Sequence, residues 1–288
     1  MSMARPRLAA ITDEFSPDLD TALEAMASVG LAGVELRTID GRNIIDLDDD
    51  AIDRIRERVE ARGMTVLSIA SPLLKCVLPG GRPLDMRFQQ DAFAARHTFQ
   101  DQPRLSERAF RIAERTGAGI LRVFSYWRTV EPARVFDDVV VALRRLTDAV
   151  PDGIVIGLEN EHACNVGTAT EAATVMAAVD HPALGLIWDP ANALVAGETP
   201  YPDGYRVLDP RRVIHVHAKD CDVHDHTPTW GPVGAMSVDW PGQIAALIRD
   251  GYPGWISLET HWPGPDGDKA AASLICARNL RRLIDAHA

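Results

Sequence analysis

Val213-Ile214-His215-Val216-His217-Ala218-Lys219-Asp220 reads as a short β-strand that runs from apolar residues into ionisable ones. Strand side chains alternate with period two, so Val213, His215, His217 and Lys219 share one face. A face that begins apolar and ends in His, His and Lys is not an ordinary core face. Residues 154–161, 184–192 and 255–261 end in the same manner, each an apolar run that stops at a carboxylate: Glu159, Asp189 and Glu259. These four stretches are expected to be strand ends that converge on one divalent metal ion.

Outward from this stretch, strand-like and helix-like segments alternate. Short apolar runs at residues 8–11, 33–37, 65–70, 119–124, 153–158, 184–188, 213–218 and 255–258 are read as eight strands. The first helix is expected to start with Ser16 as N-cap and Pro17 at its first position, to bury Leu19, Ala22, Leu23 and Met26, and to end at Gly30. Further helices are read at 51–62, behind the acidic run 46–50, and at 105–116 and 135–150. The remaining ones are read at 168–179, capped by Thr168 or Thr170, at 241–250 and at 269–287. Eight β/α units predict parallel strands with crossover helices, closed into a single-domain (β/α)8 TIM barrel over residues 1–288. An open doubly wound sheet is the alternative, but no GxGxxG follows the first strand. Two segments break the rhythm. Residues 71–102 are long enough for a functional cover, with Arg82, Arg87, Arg96 and His97 as candidate substrate contacts. Residues 221–237 read as an irregular loop.

Lys and Arg number 30 against 41 Asp and Glu, a net charge of −11, which argues against a nucleic-acid partner. No apolar run nears the roughly 20 residues that span a bilayer, so no membrane partner is expected. The opening Met1-Ser2-Met3-Ala4-Arg5-Pro6 lacks the apolar core of a signal peptide, and cytoplasmic residence is the expectation. Cys76, Cys164, Cys221 and Cys276 lie far apart with no CxxC, which predicts thiols rather than a disulfide framework or a Cys-rich zinc site. The oligomeric state, including a homo-oligomer, is left open.

In parallel α/β folds the ligand lies beyond the carboxyl ends of the strands, where these polar residues stand. Three converging anions repel one another unless a cation joins them. Glu159, Asp189, His217 and Glu259 supply three carboxylates and one imidazole. Mainly oxygen donors favour Mn²⁺ or Mg²⁺, with Co²⁺ or Zn²⁺ tolerated. Lys219 shares the inward face of His217, and is expected either to hold a substrate oxygen or to pair with Glu161 or Asp220. His215, deeper on that face, is counted with the substrate-binding candidates in a supporting position. Glu161, Trp127, Arg128 and His261 are the candidate substrate wall. Glu35 and Arg37 also share a face, pointing into the barrel mouth or into a loop.

The motifs Gly157-Leu158-Glu159-Asn160, Trp188-Asp189-Pro190-Ala191-Asn192, His215-Val216-His217-Ala218-Lys219-Asp220 and Ser257-Leu258-Glu259 resemble those of the xylose isomerase-like TIM-barrel superfamily. So do Gly231-Pro232-Val233-Gly234 and Val238-Asp239-Trp240, and the resemblance covers essentially the whole chain. That group includes ketohexose 3-epimerases, inosose dehydratase and class II apurinic endonucleases. The resemblance implies that Glu159, Asp189, His217 and Glu259 hold one metal. It implies that Glu159 and Glu259, on opposite sides of a sugar or polyol, move a proton next to a carbonyl through a metal-stabilised enediolate, with Lys219 steadying oxyanion charge. Asn192 stands where the endonucleases carry a His, and Val223 where the 3-epimerases carry an Arg. The readings that follow are an isomerase or epimerase first, then a lyase that expels water after enolisation. A binding barrel without catalysis and an endonuclease come behind them.

Overall fold

A computed structural model describes residues 5–88 and 97–287. Eight parallel strands close on themselves: β1 (Arg7–Ile11), β2 (Gly33–Leu36), β3 (Thr65–Ile69), β4 (Ile120–Val123), β5 (Val155–Glu159), β6 (Leu184–Trp188), β7 (Val213–Ala218) and β8 (Trp255–Leu258). β1 pairs with both β2 and β8, with Ala10 opposite Val34 and Leu258, so the sheet has no edge. This is the expected (β/α)8 barrel. The strands are near-continuous apolar runs because side chains fill the barrel on one face and meet helices on the other. Each of the five residues of β6 is buried.

The crossover helices are α1 (Leu19–Ser28), α2 (Asp49–Glu60), α3 (Gln102–Thr116), α4 (Phe136–Ala149), α5 (Ala169–Val179), α6 (Pro190–Val195), α7 (Trp240–Arg249) and α8 (Lys269–Ala286). Ile52, Ile55 and Val59 of α2, and Leu105, Ala109, Ile112 and Ala113 of α3, recur at three- and four-residue spacing and are buried. Both helices contact β3. Cutting Ile52 to Ala would cost about 2–5 kcal/mol through the cavity it leaves.

Several boundaries move from their sequence reading for local reasons. Ser16 does not cap α1, because a 3-10 turn at Thr12–Glu14 delays the helix. Asp18 caps it instead, accepting the Thr21 N–H at 2.8 Å, while Ser16 Oγ accepts from Asp18 N. Asp48 caps α2, so the acidic run supplies both the cap and the first turn. Thr168, not Thr170, caps α5, in a reciprocal capping box with Glu171.

The supposed loop at 221–237 contains a hairpin, Asp220–His224 paired antiparallel with Thr227–Gly231. Its turn places Asp225 and His226 at φ 48° and 60° without a glycine, so the usual hairpin signal was missing. Asp220 anchors the segment: its carboxylate accepts N–H bonds from Cys221, Gly234, Met236 and Val238.

In the first long segment, residues 72–76 run alongside residues 124–127. Phe124 N donates to Leu73 O at 2.9 Å, Tyr126 N to Leu74 O at 2.8 Å and Trp127 N to Cys76 O at 3.0 Å. Leu74 and Tyr126 both hold left-handed backbone, φ 62° and 63°, which is strained for bulky side chains. Arg96 lies outside the described residues. The four cysteines are buried thiols. Among the described residues no helix is long and apolar enough to cross a membrane.

Candidate active site and metal centre

Four neighbouring strands, β5 to β8, deliver the expected cluster. Glu159, Asp189, His217 and Glu259 each offer a donor atom, and these atoms lie within 4.8 Å of one another. The two sequence motifs on β5 and β6 are stitched together. Asn160 Nδ2 donates to Asp189 O and Asp189 N donates to Asn160 Oδ1, both at 2.8 Å. Asp189 Oδ1 accepts from Asn192 N at 2.8 Å and so caps α6, with Pro190 at its first position. Its other oxygen is left for the cluster.

His217 presents Nδ1 to the acids, 3.1 Å from Glu159 Oε1 and 3.6 Å from Glu259 Oε2. Its Nε2 faces the opposite way, 3.2 Å from Glu35 Oε1, and His215 Nε2 lies 2.9 Å from the same oxygen. Glu35 therefore reaches across the barrel from β2 and fixes the His217 ring. This is the arrangement by which a carboxylate behind an imidazole orients it for a metal. Burial disfavours the Glu35 charge, but His215 and His217 outweigh it and hold its carboxyl well below the usual range.

The cluster's residues fit a divalent cation on their own chemistry. Glu159, Asp189 and His217 are wholly buried. Glu159 Oε2 and Asp189 Oδ2 accept no hydrogen bond of good geometry among the described residues. Burial, with Glu159 and Glu259 adding repulsion, raises the Asp189 carboxyl even though Lys219 Nζ stands 2.8 Å away. Three carboxylate oxygens with one imidazole nitrogen suit Mn²⁺, Mg²⁺ or Zn²⁺.

Lys219 does not pair with Glu161 or Asp220. It bridges Asp189 Oδ2 and Glu259 Oε2, at 2.8 and 2.6 Å. Burial opposes its charge, yet Asp189 and Glu259 keep its ammonium well above the usual lysine range. Glu259 also receives Arg37 Nη1 at 3.0 Å, with His261 Nε2 at 3.6 Å. Despite burial, Lys219 and His261 hold the Glu259 carboxyl well below its ordinary value, so it is ionised.

A cavity of about 260 Å³ opens beside the cluster. Of the four candidate ligands, Glu259 lines it, and the other three lie behind. Glu161 and His261 line it as expected; Glu161 also touches Lys75 at 3.4 Å and His162 at 3.0 Å. Arg87 is on the wall too, whereas Arg82 turns to Asp138 and His97 to Asp46.

Two expected wall residues, Arg128 and Trp127, and the deeper candidate His215 do not line the cavity. Arg128 pairs with Glu171 at 2.9 Å, because its guanidinium finds a carboxylate at the start of α5. His215 is buried beneath the cluster, its Nε2 2.9 Å from Glu35 Oε1. Trp127 stands behind the wall, its ring 5.5 Å from Lys75 Nζ.

The sequence reading missed Lys75, Arg122 and His162. Arg122 extends from β4, its Nη1 3.2 Å from Glu159 Oε2 and 3.8 Å from Glu259 Oε1. An arginine inside the apolar run Ile120-Leu121-Arg122-Val123 was the available signal. His162 bonds Asn192 Oδ1 at 2.8 Å, and despite burial Glu161 keeps its imidazole above the ordinary value.

The family described as Xylose isomerase-like TIM barrel matches residues 23–280. Among curated proteins none matches the chain. Among solved structures, a xylose isomerase-like TIM barrel/4-hydroxyphenylpyruvate dioxygenase fusion protein superposes with TM-score 0.74 at 22% identity; 99% of this chain is covered, but only 43% of the fusion protein. The IOLI protein with a bound zinc atom gives TM-score 0.74 at 16% identity, covering 98% of this chain and 99% of that one. A D-allulose 3-epimerase from Methylomonas sp. gives 0.71 at 17% identity, covering 98% and 100%. At such identities the structures share the fold, and it is the match over residues 23–280 that assigns the chain: it belongs to the xylose isomerase-like TIM barrel family.

Proposed function

We propose that the protein is a divalent-metal-dependent isomerase or epimerase of a small sugar or polyol. The observation that carries this reading is the convergence of Glu159, Asp189, His217 and Glu259 within 4.8 Å beside a cavity of monosaccharide size. These four residues would hold the ion. A divalent cation there supplies Lewis-acid polarisation of a substrate carbonyl and its neighbouring hydroxyl.

The chain's own groups do the rest. Glu259 faces the cavity and is ionised, so it is the base that takes the proton next to the carbonyl. Arg37 and Lys219 hold its two oxygens and set its direction. Glu159, deeper and braced by Arg122, His217 and Asn192, is its partner in the proton exchange. Lys219 places positive charge beside the position where oxyanion charge develops.

A second reading, a lyase, is favoured by His162. Its imidazole is held towards the protonated form on the same cavity as Glu259. Glu259 would remove the α proton, and His162 would protonate a departing β hydroxyl, releasing water.

Proton NMR in D₂O with Mg²⁺-loaded protein and a panel of ketoses and keto-polyols separates the two. Deuterium entering a carbon position with mass otherwise conserved supports isomerisation, and loss of water supports elimination. Neither event with any substrate that binds would remove the catalytic reading.

A further inference from the structure

We propose that Asn192 is a positioning residue for His162: it fixes the tautomer of the ring, so that Nε2 is the nitrogen that meets a hydroxyl of the substrate. The inference rests on the cavity being the substrate site. Asn192 is wholly buried on α6 and does not line the cavity, whereas the half-buried His162 does.

Counting donors and acceptors orients the Asn192 amide. Its Nδ2 donates to Asn160 O at 3.0 Å and to Glu159 Oε1 at 3.3 Å. A backbone carbonyl can only accept, and so can an ionised carboxylate. Turning the amide over would set Oδ1 against both oxygens with no hydrogen between them. Oδ1 therefore faces His162, whose Nδ1 lies 2.8 Å away. Since that oxygen also only accepts, Nδ1 carries a hydrogen. The Glu161 carboxylate, with Oε1 3.0 Å from the same nitrogen, favours the same choice.

The neutral ring then has its lone pair on Nε2, and the charged ring gains its second hydrogen there. Among the described residues nothing hydrogen-bonds Nε2. The ring stands edge-on to Phe88, with centroids 6.2 Å apart, and Phe88 is also on the cavity wall. The charges about it are Glu161 alongside, Lys75 on the far side of Glu161, and Lys219 from β7. A hydroxyl both donates and accepts, so it suits Nε2 in either state. The opposite tautomer would leave a bare Nδ1 facing two acceptors. Because the same amide holds Glu159, Asn192 sets the His162 ring relative to the deeper acid.

The test labels the histidines of the full chain with ¹⁵N and reads both ring nitrogens of His162 above its pKa, assigned by their loss in His162→Gln. The wild type should hold its hydrogen on Nδ1, with Nε2 bare. Asn192→Leu removes the acceptor and should lower the ratio of Nδ1–H to Nε2–H rings about fivefold, the worth of one hydrogen bond. Asn192→Asp keeps an acceptor there and should keep the wild-type ratio or raise it. An Nε2–H ring in the wild type, or an unchanged ratio in N192L that melts cooperatively, would overturn the proposal. If N192L does not fold, the wild-type tautomer and N192D decide, and a ratio that falls in folded N192D counts against it. These readings need neither metal nor substrate. Adding D-fructose or D-xylulose to the Mg²⁺-loaded wild type then tests the contact: a bound ketose should shift Nε2 and leave Nδ1 nearly still. Binding that leaves Nε2 unmoved refutes the contact, whereas binding of neither ketose counts against the substrate-site reading beneath it.

Discussion

Glu35→Gln is the substitution that tests whether the residues behind the cluster control it. Glu35 is wholly buried, and its carboxylate is shared by two imidazoles, with Oε1 2.9 Å from His215 Nε2 and 3.2 Å from His217 Nε2. An amide keeps the shape but loses the charge, and one of its two ends becomes a donor. Even with its carbonyl at the shared position, the amide holds the two imidazole N–H groups without the charge that strengthens those bonds, which loosens the hold on the His217 ring. Changes behind a metal-bound imidazole typically cost 10–100-fold in metal affinity, about 1.4–2.8 kcal/mol. Isothermal titration with Mn²⁺, beside a thermal melt, measures this. The expected result is a weakened Kd with a folded barrel. A Kd equal to that of the wild type in folded E35Q would refute the argument that Glu35 orients His217.

Other consequences are more local. His162 is half-buried, and although that burial works against its charge, Glu161 holds its pKa above the ordinary value. A raised imidazole pKa gives stability that is full below about pH 6.5 and fades as pH rises through the folded-state value. The difference in urea midpoint between wild type and His162→Gln should therefore shrink from about pH 6 to about pH 9. Asp220→Ala removes the acceptor for four backbone N–H groups and should cost about 2–4 kcal/mol in urea unfolding, with faster proteolysis in residues 221–238. Gly157→Ala places a Cβ 2.7 Å from the Ile187 side chain inside the barrel and should cost about 1–3 kcal/mol by the same assay.

The fold was legible because each β/α unit writes its own period: continuous apolar strands, then helices such as α2 and α3 with stripes at three- and four-residue spacing. The convergence of the candidate ligands was legible because a carboxylate that ends an apolar strand has a known place in a barrel, as Glu159 and Glu259 do. What could not be read depended on contacts between distant residues. Nothing near Glu35 says that its partners are His215 and His217, far away in sequence. Lys75 follows no period, and it reaches the cavity only because residues 72–76 lie along 124–127. Arg128 stands just past the apolar run 119–124, where a wall residue is expected, but Glu171, 43 residues further on, captures it. The hairpin after Asp220 was hidden because Asp225 and His226 adopt left-handed backbone without glycine.

Glu159, Asp189, His217 and Glu259 are proposed to grip one cation. Titration of the metal-stripped chain with Mn²⁺, for the wild type and for E159Q, D189N, H217Q and E259Q, tests it most directly. One ion per wild-type chain and sharply weaker uptake in each folded variant are expected. Absence of uptake by the wild type, or binding unchanged across all four variants, would contradict it.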